Sequence, residues 1–203
     1  MGDKIRLIDG AIIGGPPKPK DEANVNGDWS RPSMPLSGPH KLSDVTPAGA
    51  QLAEVLNIQH ISGEIGGASG LKMCFASLTK GFTALTIHSF TTAHRLGVTA
   101  ELEDHLSKYS PKTLELTKNL TSMPPKAYRW VREMQEISAT FQEDGGFVQS
   151  EDIFGGIANT YALVADGTDL GLEKTNDRKR GLDREDVARL MSEGIDKRKM
   201  KTD

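Results

Sequence analysis

The chain has 203 residues, which predicts one domain or two small ones, and 36% of them are apolar. Its 25 Lys and Arg residues against 28 Asp and Glu residues give a net charge of −3. That balance disfavours a dedicated DNA- or RNA-binding protein, which would need a basic surface. The single cysteine, Cys74, excludes an internal disulfide and a multi-cysteine zinc site, and it favours a reducing compartment.

No run of about 18 uncharged apolar residues occurs in the sequence, so we expect no contact with a membrane. Residues 1–10 are charged and poor in apolar side chains, unlike a secretory signal peptide. Together with the single cysteine, these features predict a cytoplasmic protein.

The first 65 residues have the mixed pattern of a small α/β segment. Three short runs in it predict strands, at residues 4–8, 34–37 and 57–62. Residues 18–32 are rich in Pro, Asn and Gly and predict a polar loop. A helix is predicted over residues 47–56, with Thr46 as its N-cap and Pro47 at its first position. The order strand, helix, strand predicts a small βαβ unit.

From Gly66 onward the pattern is helical almost throughout. A long helix is predicted over residues 68–96, with Gly97 as its C-terminal cap. Five shorter helices are predicted after it, near residues 99–109, 110–123, 126–143, 151–165 and 184–193. Mixed charge in residues 174–181 and 196–203 predicts mobile segments.

The predicted fold class is therefore mainly α, with an all-α domain built on one long helix. The domains are predicted at residues 1–65 for the small α/β segment and residues 66–195 for the helical domain, followed by a mobile charged tail at residues 196–203.

Motifs that bind nucleotides or metals are missing from the sequence. The glycine-rich segment at residues 63–70 lies between a predicted strand and the long helix, but Ile65 stands where a dinucleotide-binding loop needs its second glycine. No Gly-Lys-Ser/Thr phosphate loop occurs, and the five histidines show no metal-ligand spacing. We therefore predict no metal site, and we identify no cofactor-binding residue in this chain.

Lys72, near the start of the long helix, is the candidate catalytic residue. At 100° per residue its helix face is shared by small side chains, namely Ser69, Ala76, Thr79 and Thr83. Larger apolar residues fall on the opposite side and are predicted to form the core stripe: Leu71, Cys74, Leu78, Phe82 and Leu85. A lysine among small side chains leaves room for a ligand, and its amine can act as general acid or base. The alternative is a solvated lysine on an exposed face.

Residues 9–17 and residues 66–81 together resemble the β-hydroxyacid dehydrogenase superfamily, most closely its 6-phosphogluconate dehydrogenase-like branch. Residues 36–39 and 157–180 also fit that branch, so the resemblance runs from about residue 4 to residue 190. It implies an N-terminal Rossmann half that binds NAD(P), then an all-α half that forms a homodimer. Residues 1–65 would then be the last part of a Rossmann half, most of which would lie before Met1.

The resemblance also implies roles for individual residues. Lys72 matches the family lysine that acts as acid/base on a substrate hydroxyl or carbonyl, and Gly14 and Gly15 match a substrate-binding loop. Ile13 stands where the family pattern has Ser, and Ala76 stands where it has Asn. Each change removes a hydrogen-bonding side chain, which disfavours 6-phosphogluconate or a simple hydroxyacid as the substrate. The candidate substrate-binding residues are Ile13, Gly14, Gly15, Ser69 and Ala76.

The leading hypothesis is an NAD(P)-dependent oxidoreductase of a small molecule, acting through Lys72 if a nucleotide-binding half is supplied. One alternative is a non-catalytic dimerisation or regulatory protein derived from the same family. Another is a non-redox enzyme that uses Lys72 and the same pocket for acid/base chemistry.

Overall fold

The computed structural model describes residues 5–21, 27–45 and 47–200 of the chain. Contacts divide the chain into two compact units, Met1–Phe75 and Ala76–Asp203. Short strands and loops dominate the first unit, and helices make up most of the second. This confirms the predicted mainly-α fold with a small α/β part. No helix in the described part of the chain is long and apolar enough to span a bilayer.

The first unit contains all the named strands of the described residues. These are β1 (Asp9–Gly10), β2 (Lys18–Pro19), β3 (Trp29–Ser30), β4 (Met34–Ser37) and β5 (Ile58–Ser62). β1, β4 and β5 form one sheet in that order, while β2 and β3 form a separate antiparallel pair. β1 runs antiparallel to β4, and β4 runs parallel to β5. Helix α1 (Gly49–Val55) connects β4 to β5, which confirms the predicted βαβ unit.

The strand predicted at residues 4–8 is wrong in its position. β1 comes after that segment, with Asp9 opposite Ser37, and the described residues 5–8 are not in a strand. The same register would place Leu7 opposite Pro39, which has no N–H to donate to a sheet. Lys4 and the predicted N-cap Thr46 lie outside the described residues. The loop predicted at residues 18–32 contains the short β2–β3 pair.

The remaining helices follow in chain order. They are α2 (Gly67–Leu96), α3 (Thr99–Tyr109), α4 (Pro111–Leu116), α5 (Asn119–Ser122), α6 (Ala127–Glu143), α7 (Ile153–Gly167) and α8 (Arg184–Lys199). The long helix and its end are confirmed, because Gly97 has a φ of +73°, and its N–H donates to the His94 carbonyl at 3.1 Å.

Three of the shorter helices differ from the prediction. The helix expected at residues 110–123 is divided into α4 and α5 at Thr117, whose buried hydroxyl donates to the Leu114 carbonyl and accepts from Arg184. α7 starts later than expected, because Asp152 rather than Ser150 caps it, with its Oδ1 accepting from the Phe154 and Gly155 N–H groups. α8 continues into the segment predicted as a mobile tail, since three basic residues in its last turn favour the negative end of the helix dipole.

The core of the second unit centres on the packing of α6 against α7. Trp130 meets Tyr161 edge to face at 5.2 Å between ring centroids, and Phe141 meets Phe154 at 4.7 Å. Tyr161 is completely buried, and its hydroxyl donates to the Lys80 carbonyl of α2 at 2.5 Å. Burial raises the pKa of Tyr161 well above its usual range. α2 is thereby held directly against α7.

The core stripe predicted for α2 is wrong. Leu71, Cys74, Leu78 and Leu85 are exposed, and Phe82 is only half-buried. The buried positions of α2 are instead mostly small or hydroxyl-bearing, among them Ala76, Ser77, Thr83, Ala84 and Thr86. Small side chains suffice there because large residues of other helices fill the space, as Tyr161 does. The Thr83 and Thr86 hydroxyls donate to carbonyls one turn earlier, so their burial leaves no polar group unpaired.

Gly194 marks a close backbone contact between α8 and the end of α7. A Cβ at this position would lie 2.6 Å from the Gly167 carbonyl oxygen and 2.6 Å from the Thr168 methyl group. We expect Gly194→Ala to lower the free energy of unfolding by about 1–3 kcal/mol, because the backbone must shift to make room. The measurement is urea unfolding followed by circular dichroism.

Gly156→Ala is the matched control for that substitution. Gly156 lies in α7, and a Cβ there would meet no atom within 4 Å. Alanine should therefore raise stability by up to about 1 kcal/mol through its better helix propensity. Similar changes for the two variants would contradict the assigned close contact.

Candidate active site

Asp9 links the first sheet to the start of the long helix. Its carboxylate accepts the Ser69 N–H at 3.0 Å, the Ser69 hydroxyl at 2.6 Å and the Ser37 hydroxyl at 3.0 Å. Asp9 lies in β1, Ser37 ends β4, and Ser69 is in the first turn of α2. One carboxylate thus joins three elements that are far apart in the sequence.

Ser37 supplies the second attachment of the helix start. It is completely buried, and its hydroxyl accepts the Ala68 N–H at 2.9 Å while donating to Asp9. The approach is close, because a Cβ on Gly67 would lie 3.2 Å from the Ser62 Cβ and 3.4 Å from the Ser37 Cβ. A side chain on Gly67 would therefore press on the ends of β4 and β5, which would have to shift by a few tenths of an ångström.

The Asp9 carboxylate is stabilised in its ionised form. The hydrogen bond from the Ser69 side chain is the main cause that lowers its pKa below the usual aspartate range, and the bonds from Ser69 N–H and Ser37 act in the same direction. A negative charge is also favourable at the N-terminus of a helix, where the backbone N–H groups are unpaired.

Lys72 lies on α2 one turn after Ser69 and is exposed. Residues three apart share a helix face, so the lysine follows directly from the turn that Asp9 holds. Within the described residues, the Lys72 ammonium has neither a hydrogen-bond nor an ion-pair partner. The structure therefore places an accessible ammonium one turn beyond a firmly attached helix start.

The Ile13–Gly15 segment follows β1 and is anchored at one point. Ile13 exchanges two backbone hydrogen bonds with Ser33, at 2.9 and 2.8 Å. Gly14 has a φ of +118°, and a Cβ there would lie 3.3 Å from Pro32. Gly15 has open space around its Cα, so a ligand can approach its backbone closely.

The six predicted site residues do not form one hydrogen-bonded cluster in the described part of the chain. Ser69 and Lys72 share a face of α2, and Asp9 connects Ser69 to the strand that precedes the Ile13–Gly15 segment. The Ser69 hydroxyl donates to Asp9. Ala76 begins the second unit and is buried.

Sequence reasoning did not predict that Asp9 and Ser37 anchor α2. Cap residues are usually found beside the helix in the sequence, whereas Asp9 is 60 residues away from Ser69. The available signal was indirect: Asp9 precedes a glycine at the end of an apolar run, and no Asp or Glu occurs in the first turn of α2.

The start of α2 does not fit the pyrophosphate of NAD(P). A helix start can bind a phosphate only through unpaired backbone N–H groups. At α2 the N–H groups of Ala68 and Ser69 are already bound by Ser37 and Asp9. The described ranges also contain no group of three His, Cys, Asp or Glu side chains that could hold a metal ion.

Comparison with known proteins relates the chain to a structure that is itself described as similar to 3-hydroxyacid dehydrogenases. Residues 93–164 match a family described as Domain of unknown function (DUF1932). No curated protein matches the chain. The chain is similar to the structure of the conserved protein MTH1747 of unknown function, itself described as structurally similar to 3-hydroxyacid dehydrogenases. That likeness has 25% identity and a TM-score of 0.56, and it covers 78% of this chain and 56% of the other.

A second similar structure is that of a conserved hypothetical protein from Sinorhizobium meliloti 1021. It has 23% identity and a TM-score of 0.64, and the likeness covers 92% of this chain and 57% of that protein. The chain thus spans less than two thirds of either protein. The second likeness shows the fold alone.

Replacing Asp9 by Asn tests the attachment of the helix start. We expect Asp9→Asn to lower the free energy of unfolding near pH 7 by about 1 kcal/mol, as for loss of a helix-capping group. Because folding lowers the Asp9 pKa, its contribution is present above about pH 4 and is lost as the pH falls through the lower folded-state value. Urea unfolding at neutral and acidic pH measures this difference.

The control is Asp44→Asn. Asp44 is exposed in the same unit and accepts only from the neighbouring Ser43, at 3.3 Å, among the hydrogen bonds of the described residues. Asp44→Asn should change the free energy of unfolding by close to zero at both pH values. Equal effects of the two substitutions, or a gap that widens in acid, would show that Asp9 does not anchor α2.

Proposed function

We propose that this chain is the substrate-binding part of a dehydrogenase-like oxidoreductase in which Lys72 is the acid/base residue. One observation carries the proposal: an exposed ammonium lies one turn into a helix whose start is fixed to the sheet by Asp9 and Ser37. The likeness to MTH1747 supports the reaction class.

The proposed chemistry is proton transfer at one oxygen of the substrate. Lys72 Nζ accepts the proton of a substrate hydroxyl when it is neutral, and it donates a proton to a carbonyl oxygen when it is charged. The backbone of Gly15, which has open space around it, is the proposed contact for the rest of the substrate, together with Ile13 and Gly14. The proposed substrate is therefore a small hydroxy or oxo compound.

The resemblance to the hydroxyacid dehydrogenase superfamily is the only support for NAD(P) as the cofactor. NAD(P) would exchange a hydride with the substrate carbon. Since the start of α2 does not fit its pyrophosphate, we propose that a nucleotide-binding half is supplied from outside the described residues. Exposed apolar residues support this idea, because Ile5, Leu7 and Ile12 flank β1. Within the described residues β1 pairs only with β4, so its other edge can receive a further strand.

We also propose that the chain forms a homodimer through the exposed face of α2. Leu78 and Leu85 are 76% and 62% exposed, and the half-buried Phe82 lies between them on the same side. Leu78 and Leu85 are two helical turns apart, a spacing that lets two copies of one helix pack together. A twofold axis would bring the same apolar patch of both copies into contact.

Lys72→Met tests the catalytic role. We expect turnover to fall about 10²–10⁴-fold, the usual contribution of a general acid/base, with little change in stability because the side chain is exposed. The assay uses the tagged chain purified from its own cells, so that a nucleotide-binding partner is retained. It follows NAD(P)H absorbance, and substrate consumption in parallel, with a panel of small hydroxy and oxo compounds that is not restricted to acids.

Lys112→Met is the control, since Lys112 is an exposed lysine of α4. It should leave turnover unchanged. Full turnover by Lys72→Met would exclude the proposed role of this lysine. No turnover by the wild-type assembly with either nucleotide would favour the non-catalytic alternative, and turnover without nucleotide would favour the non-redox one.

Leu78→Glu combined with Leu85→Glu tests the dimer. Analytical ultracentrifugation should give the wild type about twice its chain mass of 22.0 kDa, and the double variant one chain mass, because charges cannot be buried at the contact. Leu172→Glu is the matched control, since Leu172 is 71% exposed outside α2. A dimer that persists in the double variant would place the contact elsewhere.

A further inference from the structure

Ser69 is the polar neighbour of Lys72 on the helix face proposed for the substrate. Both residues belong to the first unit and lie three positions apart on α2, so their Cβ atoms are about 5–6 Å from each other on one face. Lys72 is exposed, and Ser69 is only half-buried, which leaves part of its surface open. A small molecule whose oxygen contacts Lys72 would therefore have Ser69 beside its next atoms.

The hydroxyl proton of Ser69 is already used within the protein. Ser69 Oγ lies 2.6 Å from Asp9 Oδ1. The hydrogen bond from the Ser69 side chain is the main cause that lowers the pKa of Asp9, so the carboxylate is ionised near neutral pH. An ionised carboxylate can only accept, and a serine hydroxyl has one proton to donate. Ser69 can therefore accept a hydrogen bond from a substrate but has no proton left to donate to it.

The second oxygen of Asp9 fixes the direction of this bond. Asp9 Oδ2 accepts the Ser69 N–H and the Ser37 hydroxyl, each at 3.0 Å. The carboxylate is thus held at both of its oxygens and keeps Oδ1 directed at the Ser69 hydroxyl.

Ser37 differs from Ser69 in the use of its lone pairs. Its hydroxyl also donates to Asp9, but its oxygen accepts the Ala68 N–H at 2.9 Å, and the side chain is completely buried. Among the residues that the structure describes, none donates a hydrogen bond to Ser69 Oγ. Of the two hydroxyls on Asp9, the one beside Lys72 is therefore the one that can accept from a ligand.

The charges near Ser69 disfavour an anionic group of the substrate at this position. The Asp9 carboxylate is one hydrogen bond away, and residues 57–71, which lead into the helix, contain Glu64 and no Lys or Arg. An anion at Ser69 would meet a like charge and would receive no proton in return. A neutral hydroxyl group can donate to Ser69 Oγ without this repulsion.

We propose that Ser69 selects substrates that present a hydrogen-bond donor, in the simplest case a hydroxyl, on the carbon next to the reacting one. The substrate class is then a neutral hydroxy ketone or hydroxy aldehyde, or the corresponding vicinal diol, rather than an acid. Lys72 contacts the reacting oxygen, Ser69 accepts from the neighbouring hydroxyl, and Asp9 is a positioning residue that keeps Ser69 an acceptor. This inference rests on the proposed function for the place of the substrate at Lys72, and it names the substrate class.

Three small neutral ketones test the selectivity. Hydroxyacetone has a hydroxyl next to its carbonyl, methoxyacetone has an ether oxygen that can only accept, and butanone has a methyl group in place of the hydroxyl. Their binding is measured by ligand-observed NMR titration of the full chain purified from its own cells, which requires no turnover. We expect hydroxyacetone to bind about fivefold more tightly than the other two, the scale of one hydrogen bond. Equal binding of hydroxyacetone and methoxyacetone, or no binding of hydroxyacetone, would overturn the proposal.

Asp9→Asn reverses the polarity of the bond to Ser69. The amide oxygen can still accept from the Ser69 N–H and from Ser37, which leaves the amide NH₂ group to donate to Ser69 Oγ. The Ser69 proton is then free for an acceptor on the ligand. We expect the advantage of hydroxyacetone over methoxyacetone to fall to within about twofold, a change in selectivity that a less stable fold alone would not cause. An unchanged advantage would contradict the positioning role of Asp9.

Ser69→Ala separates this proposal from the catalytic role of Lys72. It should weaken the binding of hydroxyacetone to the level of butanone and leave butanone unchanged, with folding checked by circular dichroism. Ser107→Ala is the matched control, because Ser107 is an exposed serine of α3 in the second unit, and it should keep the preference.

The two proposals can fail independently. A preference for hydroxyacetone that persists in Ser69→Ala would refute the role of Ser69, even where Lys72→Met abolishes turnover. A preference that Ser69→Ala removes and Ser107→Ala keeps would support it, even where Lys72→Met retains full turnover and only the acid/base role is lost.

Discussion

The hydrogen bonds of Asp9 are the interaction on which the start of the long helix depends. A two-residue strand contributes little stability alone, and a helix of thirty residues begins with several unpaired N–H groups. The Asp9 carboxylate joins β1 to the helix by accepting the Ser69 N–H. It also accepts the Ser37 hydroxyl, which in turn accepts the Ala68 N–H. The same bonds that make the helix start rigid also remove its ability to hold a phosphate. Structural anchoring and nucleotide binding are mutually exclusive uses of these N–H groups.

The second unit is built on large residues facing small ones. α6 and α7 supply the rings of Trp130, Phe141, Phe154 and Tyr161, and α2 presents a buried face of alanine, serine and threonine. Leu78 and Leu85 of α2 lie on its exposed outer face, whereas Ile87 and Phe90 join the small residues on the buried face. That distribution gives α2 two apolar sides with different roles. One side completes the core of the second unit, and the other is the surface that we propose for the contact with a second copy.

The local sequence pattern predicted the positions of helices and strands better than it predicted which of their faces are buried. β4 and α3 lie at the residues predicted for them, and Gly97 ends α2 as expected. The buried face of α2 was assigned wrongly. Periodicity separates the two faces of a helix, and hydrophobicity alone then favoured the face with the larger residues as the buried one. Which face is buried depends on the contact of α2 with Tyr161, which is distant in the sequence. Asp9 was missed for the same physical reason: long-range capping leaves no local signal.

Tyr161 also gives the helical unit one hydrogen bond between helices that does not depend on acidity. A phenol whose burial raises its pKa this far keeps its proton throughout the range in which most proteins remain folded. Its hydrogen bond to the Lys80 carbonyl therefore keeps its donor in acid, whereas the bonds of Asp9 and Glu173 require ionised carboxylates. On acidification the loop that Glu173 holds and the start of α2 should loosen first. The Tyr161 bond that joins α2 to α7 should not weaken over the same pH range.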